Sequence, residues 1–220
     1  MQPEFWLDRW QNDELGWHMD EVNPHLKKHY SRLDLSPGQR VFVPLCGKSL
    51  DMFWLNQEKG LEVVGIDLAE KCCQVFFSDH NLTPEVTRHG DFVRYQVPGI
   101  TLWCGDVFDL SADMLGPVDA IWDRAALVAL PPAMRKAYAG QLLALTPNRP
   151  PMLCWTLEYD QNERKGPPFA VDIDEVAALF GRQYHMETLS HEDALANSPK
   201  YRHRGYGQMM ERILLLGPAQ

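Results

Sequence analysis

The sequence predicts an α/β fold, a mostly parallel, doubly wound sheet of seven strands that finishes in an antiparallel C-terminal strand pair. Residues 40–67 carry the first observation: an apolar run, a glycine turn, a helical stretch, a second apolar run and a terminal acid. Two short buried strands joined by a helix lie parallel, because a crossover of that length returns the chain to the same edge of a sheet. Further apolar runs alternate with helical spacings as far as residue 157. The last two runs, 184–189 and 208–216, follow one another without an obvious helix between them, so they are expected to pair antiparallel.

The chain opens on a segment rich in aromatics and histidine, with Phe5, Trp6, Trp10, Trp17, His18, His25, His29 and Tyr30 ahead of the first strand. Residues 23–33 read as helical, Asn23 serving as the cap and Pro24 as a first-turn residue. The tryptophans before it either plug the edge of the sheet or form a lid over a ligand, and spacing alone leaves both readings open. The expected organisation is one domain over 1–220, with a helical or lid segment over 1–35 and the sheet over 36–220. The first strand covers Val41, Phe42, Val43, Pro44, Leu45 and Cys46; Gly47 turns the chain, 49–58 is helical, and 61–66 is the second strand, ending on Asp67. A second crossover helix follows over 69–80. The stretch 81–98, with Thr83-Pro84 and several charges, is expected to be irregular. Strands follow at 100–104, ending on Gly105-Asp106, at 118–122, closing on Asp123-Arg124, and at 152–157. Before the last of these, 132–145 is a helix whose apolar positions Met134, Ala137, Tyr138, Leu142 and Leu145 suit core packing. Gly166-Pro-Pro-Phe169 makes a rigid loop on the same rim, and Asp172 caps a short helix through Phe180.

A chain of 220 residues, 45% hydrophobic and 23% charged, suits one globular domain with a substantial core. The formal charge of -9 disfavours a general polyanion binder, since nucleic-acid affinity rests largely on Lys and Arg displacing counterions. No apolar run reaches the ~18 to 20 residues that span a bilayer. Residues 1–12 are acidic and lack the basic flank and apolar core of a secretion signal, so a cytoplasmic location is expected. The five cysteines, Cys46, Cys72, Cys73, Cys104 and Cys154, are odd in number and show no C-x-x-C spacing, which suggests neither a disulfide framework nor a zinc site. Three of them, Cys46, Cys104 and Cys154, fall in expected strands as small buried hydrophobes.

In a doubly wound sheet the Leu45-Cys46-Gly47-Lys48 turn and Asp67 end neighbouring strands and flank the ligand crevice. An acid about 20 residues beyond the glycine there binds ribose hydroxyls. A phosphate-cradling P-loop is unlike this turn, because Phe42 stands where its first glycine belongs. A dinucleotide needs three spaced glycines to close on a pyrophosphate, and this turn has one. A ligand with a ribose and no phosphate to wrap remains, and S-adenosylmethionine fits that description. The plain reading of the same residues is an α/β unit with an easing glycine and a solvated Asp67. Asp106, a second acid at a strand end, either meets an adenine amino group or is an exposed loop carboxylate.

The segments Trp6-Leu-Asp-Arg-Trp10, Val43-Pro-Leu-Cys-Gly-Lys48, Val63-Val-Gly-Ile-Asp67, Phe108-Asp-Leu110, Ile121-Trp-Asp-Arg-Ala-Ala-Leu-Val128 and Gly166-Pro-Pro-Phe169 resemble the thiopurine S-methyltransferase family in its bacterial form. The match runs in order over nearly the whole chain, and the Pro-Leu-Cys-Gly-Lys and Trp-Asp-Arg segments at this separation are its specific part. The resemblance implies a Rossmann-like methyltransferase fold, S-adenosyl-L-methionine as cofactor, and methyl transfer to the sulfur of aromatic or heterocyclic thiols, with selenium or tellurium species as further acceptors. It implies that Trp10, Leu45, Asp67 and Arg124 line the cofactor site and that Asp106 and Val107 lie near the adenine. Asp67 stands where some relatives have Glu, a shorter reach with the same charge. The expected partner is a small-molecule thiol, with no metal, nucleic acid, membrane or second subunit.

An aromatic thiol is acidic enough to arrive partly as thiolate, so holding donor and acceptor in line and excluding water matters more than a strong base. Arg124, permanently protonated, is the candidate catalytic group, steadying an anionic acceptor or gripping the cofactor carboxylate; its other reading is a surface ion pair with Asp123. His18 is the one histidine considered as a proton acceptor, a structural or exposed role being the alternative. Cys46 has no covalent task in direct methyl transfer and is read as packing. The competing classes are a nucleotide-cofactor-binding α/β protein without activity, separated by turnover, and a nicotinamide-dependent oxidoreductase, separated by the missing glycines.

Overall fold

A computed structural model describes residues 3–197, 201–202 and 205–219; residues 1 and 2 of the N-terminal segment lie outside the described residues. Helix α1 (Pro3–Gln11) leads through a loop to α2 (Pro24–His29). There the Asn23 side chain accepts the His25 amide, and Pro24 occupies the first turn, where its missing N–H costs nothing. A 3-10 turn over Tyr30–Leu33 completes the expected helical stretch. β1 (Arg40–Pro44) passes through the Gly47 turn into α3 (Leu50–Gln57), capped by Ser49. β2 (Glu62–Asp67) returns parallel to β1, pairing Val41 with Val63 and Pro44 with Ile66. α4 (Glu70–Asp79) makes the second crossover.

Residues 81–98 correct the sequence reading, since they hold an antiparallel hairpin, β3 (Glu85–His89) and β4 (Phe92–Val97). β3 is an outer edge on which only Thr87 is even half-buried, so it needs no apolar run and shows none. Phe92 and Tyr95 are buried and anchor β4 on β5 (Ile100–Cys104). The hairpin brings the strand count to nine rather than seven.

α5 (Ala112–Leu115), β6 (Ala120–Arg124), α6 (Ala126–Ala129), α7 (Pro132–Leu145), β7 (Met152–Glu158), α8 (Ile173–Phe180), β8 (Tyr184–Asp193), α9 (Ala194–Asn197) and β9 (Met210–Pro218) complete the chain. The sheet order is β3-β4-β5-β2-β1-β6-β7-β9-β8. Its middle five strands, β5 to β7, run parallel. Antiparallel pairs flank them, β9 and β8 forming the C-terminal pair that the sequence predicts. On α7 the buried face is Arg135, Tyr138, Ala139, Leu142 and Leu145; Ala137, expected among the core positions, is exposed. Asp172 caps α8 by accepting the Glu175 amide. The five cysteines are free, and Cys46 lies in the turn after β1 instead of in the strand. Among the described residues no helix is long and apolar enough to cross a membrane.

The parallel strands are covered on both faces, which is why they read as near-continuous apolar runs. Phe42, Ile66, Leu102, Ile121 and Leu153, one from each, are fully buried. Because they point the same way, their carboxyl ends open along one rim, where doubly wound sheets bind ligands.

Candidate active site

A cavity of about 750 Å³ runs along this rim, crossing the ends of strands spaced ~4.8 Å apart. At the end of β1, Leu45 (φ +47°) and Gly47 (φ +52°) both adopt left-handed backbone, uncommon for a leucine. The turn they make brings the Gly47 N–H to Asp67 Oδ2 at 2.9 Å, while Oδ1 accepts the Ala69 amide at 3.1 Å. Asp67 thereby ties the β1 turn to the start of α4 and still borders the cavity. Burial pushes its carboxyl up to about 6, against the backbone donors that favour the charged form. Gly105 follows β5 directly, and any side chain there would collide with the Phe92 ring, so the hairpin dictates the glycine. Asp106 Oδ1 accepts the Phe108 amide at 2.9 Å, and the loop so formed turns Val107 and Phe108 into the cavity wall. Gln141 of α7 clamps that loop, donating to the carbonyls of Val107 (2.9 Å) and Leu110 (2.8 Å).

Beyond β1 the wall is built differently. Arg124 of β6 pairs in register with Trp155 of β7, and because side chains alternate along a strand, Asp123 faces the other way. Its fully buried carboxylate accepts the Tyr138 hydroxyl at 2.7 Å, and burial raises it to about 6. The surface ion pair between Asp123 and Arg124 is therefore not formed. Arg124 instead donates through one terminal nitrogen to the Trp17 carbonyl at 3.1 Å, and its Nε is buried without a partner among the described residues. Ala125, at φ +64°, starts α6, whose Val128 and Ala129 line the cavity with Leu130 and Met134. Arg135, 1% exposed, holds that short helix, its Nε donating to the carbonyls of Leu127 (3.2 Å) and Leu130 (3.0 Å) and its guanidinium pairing with Glu175. The Phe169 amide donates to the Val128 carbonyl at 2.6 Å, setting Pro167 and Pro168 against the same wall.

The tryptophan-bearing part of the N-terminal segment borders the cavity, while Lys28 and Arg32 farther along pair with Glu192 and Glu187 of the outer strand β8. Trp6, Trp10 and Trp17 line the cavity and meet edge to face, with ring centroids 5.2 Å apart for Trp6 and Trp17 and 6.1 Å for Trp10 and Trp17. Trp10, Ala69 and Cys72, with Leu15 and Trp17 against them, form an apolar cluster separate from the main core. Lys48 pairs with Asp79 at 2.9 Å. His18 is not among the lining residues; burial, then Lys48 and Arg124, lower its proton affinity.

One cavity thus brings together Trp10, Leu45, Asp67, Asp106, Val107 and Arg124, the residues expected at the cofactor site, whereas His18 is not brought to it. Missing from that reading were Gln141, Arg135, the α6 wall, Trp155 and Tyr201. None carried a local signal: a glutamine and an arginine on an amphipathic helix read as surface, and Trp155 as strand core. The arrangement suits a ribose-bearing ligand that also carries an anionic group. A strand-end carboxylate suits hydroxyls, and the Arg124 guanidinium on the same cavity offers a charged donor.

A model of the family described as thiopurine S-methyltransferase (TPMT) matches residues 1–218. A thiopurine S-methyltransferase of Pseudomonas aeruginosa (strain UCBPP-PA14) is 47% identical over 216 residues, 98% of this chain and 99% of that protein. A probable thiopurine S-methyltransferase of Yarrowia lipolytica (strain CLIB 122 / E 150) is 47% identical over 195 residues, 88% of this chain and 91% of its own. Among solved structures, Burkholderia thailandensis 1,6-didemethyltoxoflavin-N1-methyltransferase with bound 1,6-didemethyltoxoflavin and S-adenosylhomocysteine gives a TM-score of 0.64 at 14% identity, covering 99% of this chain and 87% of that one. Haemonchus contortus phosphoethanolamine N-methyltransferase 2 in complex with S-adenosyl-L-methionine gives 0.63 at 10% identity, over 89% of this chain and 52% of the longer one. At such identities the likeness concerns the fold.

Proposed function

Because this chain belongs to the thiopurine S-methyltransferase family, an S-adenosyl-L-methionine-dependent methyltransferase, we propose that its methyl acceptor is the sulfur of an aromatic or heterocyclic thiol. The observation that carries the site assignment is Asp67 at the end of β2, bordering the same cavity as Arg124. Asp67 takes the ribose hydroxyls, the Leu45 turn follows the methionine part, and Asp106 and Val107 meet the base. Trp10 covers the cofactor with an aromatic face suited to a sulfonium. When bound, the cofactor supplies an electrophilic methyl group on positively charged sulfur.

The acceptor lies farther along the rim, over β6 and β7, between Val128, Leu130, Met134, Trp155, Pro167 and Pro168. Apolar walls of this kind suit a flat ring, exclude water and hold the acceptor sulfur in line. Arg124 keeps its proton throughout, so it orients a charged group and accepts no proton. Closure of the segment over 6–18 completes the enclosure, its Trp17 carbonyl resting on Arg124. Turnover of a panel of aromatic thiols, aliphatic thiols, selenols and inorganic tellurium oxyanions with methyl-labelled cofactor tests the reading. Aromatic thiols are expected to lead; a preference for aliphatic thiols or for non-sulfur acceptors would overturn it.

A further inference from the structure

Two buried carboxylates lie between the sheet and helices α2 and α3, and each holds the indole N–H of a rim strand. Asp51 Oδ2 accepts from Trp122 Nε1 at 2.8 Å, and its Oδ1 accepts the Asn23 amide at 2.7 Å. Asn23 in turn accepts the His25 amide at 2.9 Å. His25 Nε2 lies 3.0 Å from Glu211 Oε2, which also accepts from Trp155 Nε1 at 3.2 Å. Glu211 Oε1 accepts from Asn197 Nδ2 at 3.3 Å. The bonds form one belt from Trp122 through Asp51, Asn23, His25 and Glu211 to Trp155.

Resting on the reading above, we propose that Glu211 is a positioning residue for the acceptor: it fixes the tilt of Trp155 against the cavity. Trp155 lines the cavity. Directing the indole N–H at Glu211 leaves the ring's apolar surface for a flat acceptor. Stability alone would not call for a carboxylate here. Glu211 is 8% exposed on a strand whose neighbours Ile213, Leu214 and Leu216 are fully buried apolar residues, and a buried ionic contact is often replaced by apolar packing at no loss. What an apolar side chain at 211 cannot do is orient an N–H.

The test compares Glu211→Leu, Glu211→Gln and Trp155→Phe, with thiophenol as acceptor and calorimetric titration of S-adenosylhomocysteine. Glu211→Leu is expected to raise the thiophenol KM about tenfold, with the S-adenosylhomocysteine Kd within about twofold of wild type. Glu211→Gln, whose amide oxygen still accepts the indole N–H, is expected to restore most of that loss. In the Trp155→Phe background Glu211→Leu is expected to add little, because the shared bond is already gone. An unchanged KM, a KM and Kd that rise together, or additive effects in the cycle would each overturn the proposal. If Glu211→Leu does not fold, Trp155→Phe decides, since it removes the N–H and keeps a ring: a wild-type KM then overturns it. Absence of thiol turnover by the wild-type enzyme is a failure of the proposed function, seen before any variant is made. Thiophenol binding to the S-adenosylhomocysteine complex then replaces KM as the readout.

Discussion

The two carboxylates assigned to the cofactor are held by backbone groups close in sequence, whereas the wall assigned to the acceptor is held by contacts between residues far apart. Asp67 reaches Gly47 across 20 positions and Ala69 across 2, and Asp106 reaches Phe108 across 2. Arg124 meets Trp17 across 107 positions, Trp155 meets Glu211 across 56, and Arg135 meets Glu175 across 40. A ribose-binding carboxylate needs only a parallel strand pair and a turn, so one β-α-β unit supplies it. A wall that selects an acceptor ring must be assembled from several elements, and it is here that buried polar side chains gather.

The largest effect expected from breaking this contrast is at Arg135. Arg135→Met removes a buried guanidinium that holds the Leu127 and Leu130 carbonyls and pairs with Glu175, and should cost about 3 kcal/mol of stability. Urea unfolding measures it; a loss under about 1 kcal/mol would show that α6 stands without that support. On the cofactor side, Asp67→Ala should weaken S-adenosylmethionine binding by about 1.5 to 3 kcal/mol, ten- to a hundredfold, with the thiol KM little changed. An unaltered cofactor Kd in a folded variant removes Asp67 from the site.

Arg124 sits at the seam, and Arg124→Met should place it on one side. If it steadies a thiolate, kcat/KM falls about tenfold for anionic thiols and least for neutral ones; if it grips the cofactor carboxylate, cofactor Kd rises and all acceptors lose alike. Wild-type values for both would exclude it from either role.

The two acids raised to about 6 sharpen the comparison by pH, since Asp67 borders the cavity and Asp123 lies beneath it. Hydroxyl donors favour an ionised Asp67, so affinity for S-adenosylhomocysteine should be nearly full above about pH 7, half that at about pH 6 and about tenfold weaker at pH 5. Asp67→Asn should abolish that step and Asp123→Asn should leave it in place. Stability runs the other way for both acids, because a raised carboxyl binds its proton more firmly in the folded chain. Their contribution is present below about pH 4 and is lost as pH rises through about 6. Smallest in energy is the covering segment: hydrogen exchange over 6–18 should slow when S-adenosylhomocysteine binds, as a gate requires, and equal protection in both states would mark it as permanent packing.

The sequence by itself determined the alternation of strands and crossover helices, the antiparallel finish, the caps Asn23 and Asp172, and the placing of Asp67, Asp106 and Arg124 at strand ends. These rest on periodicity and on turn chemistry, which act over a few residues and leave a local trace. Tertiary structure alone decided that residues 85–97 form a hairpin, because an exposed edge strand is held by backbone pairing with its neighbour and needs no apolar pattern. It alone decided that Gln141 serves a loop, that Arg135 is core, and that Glu211 faces Trp155. A polar side chain inside the protein is specified by the partner that satisfies it, and that partner is brought by the fold from a distant part of the chain.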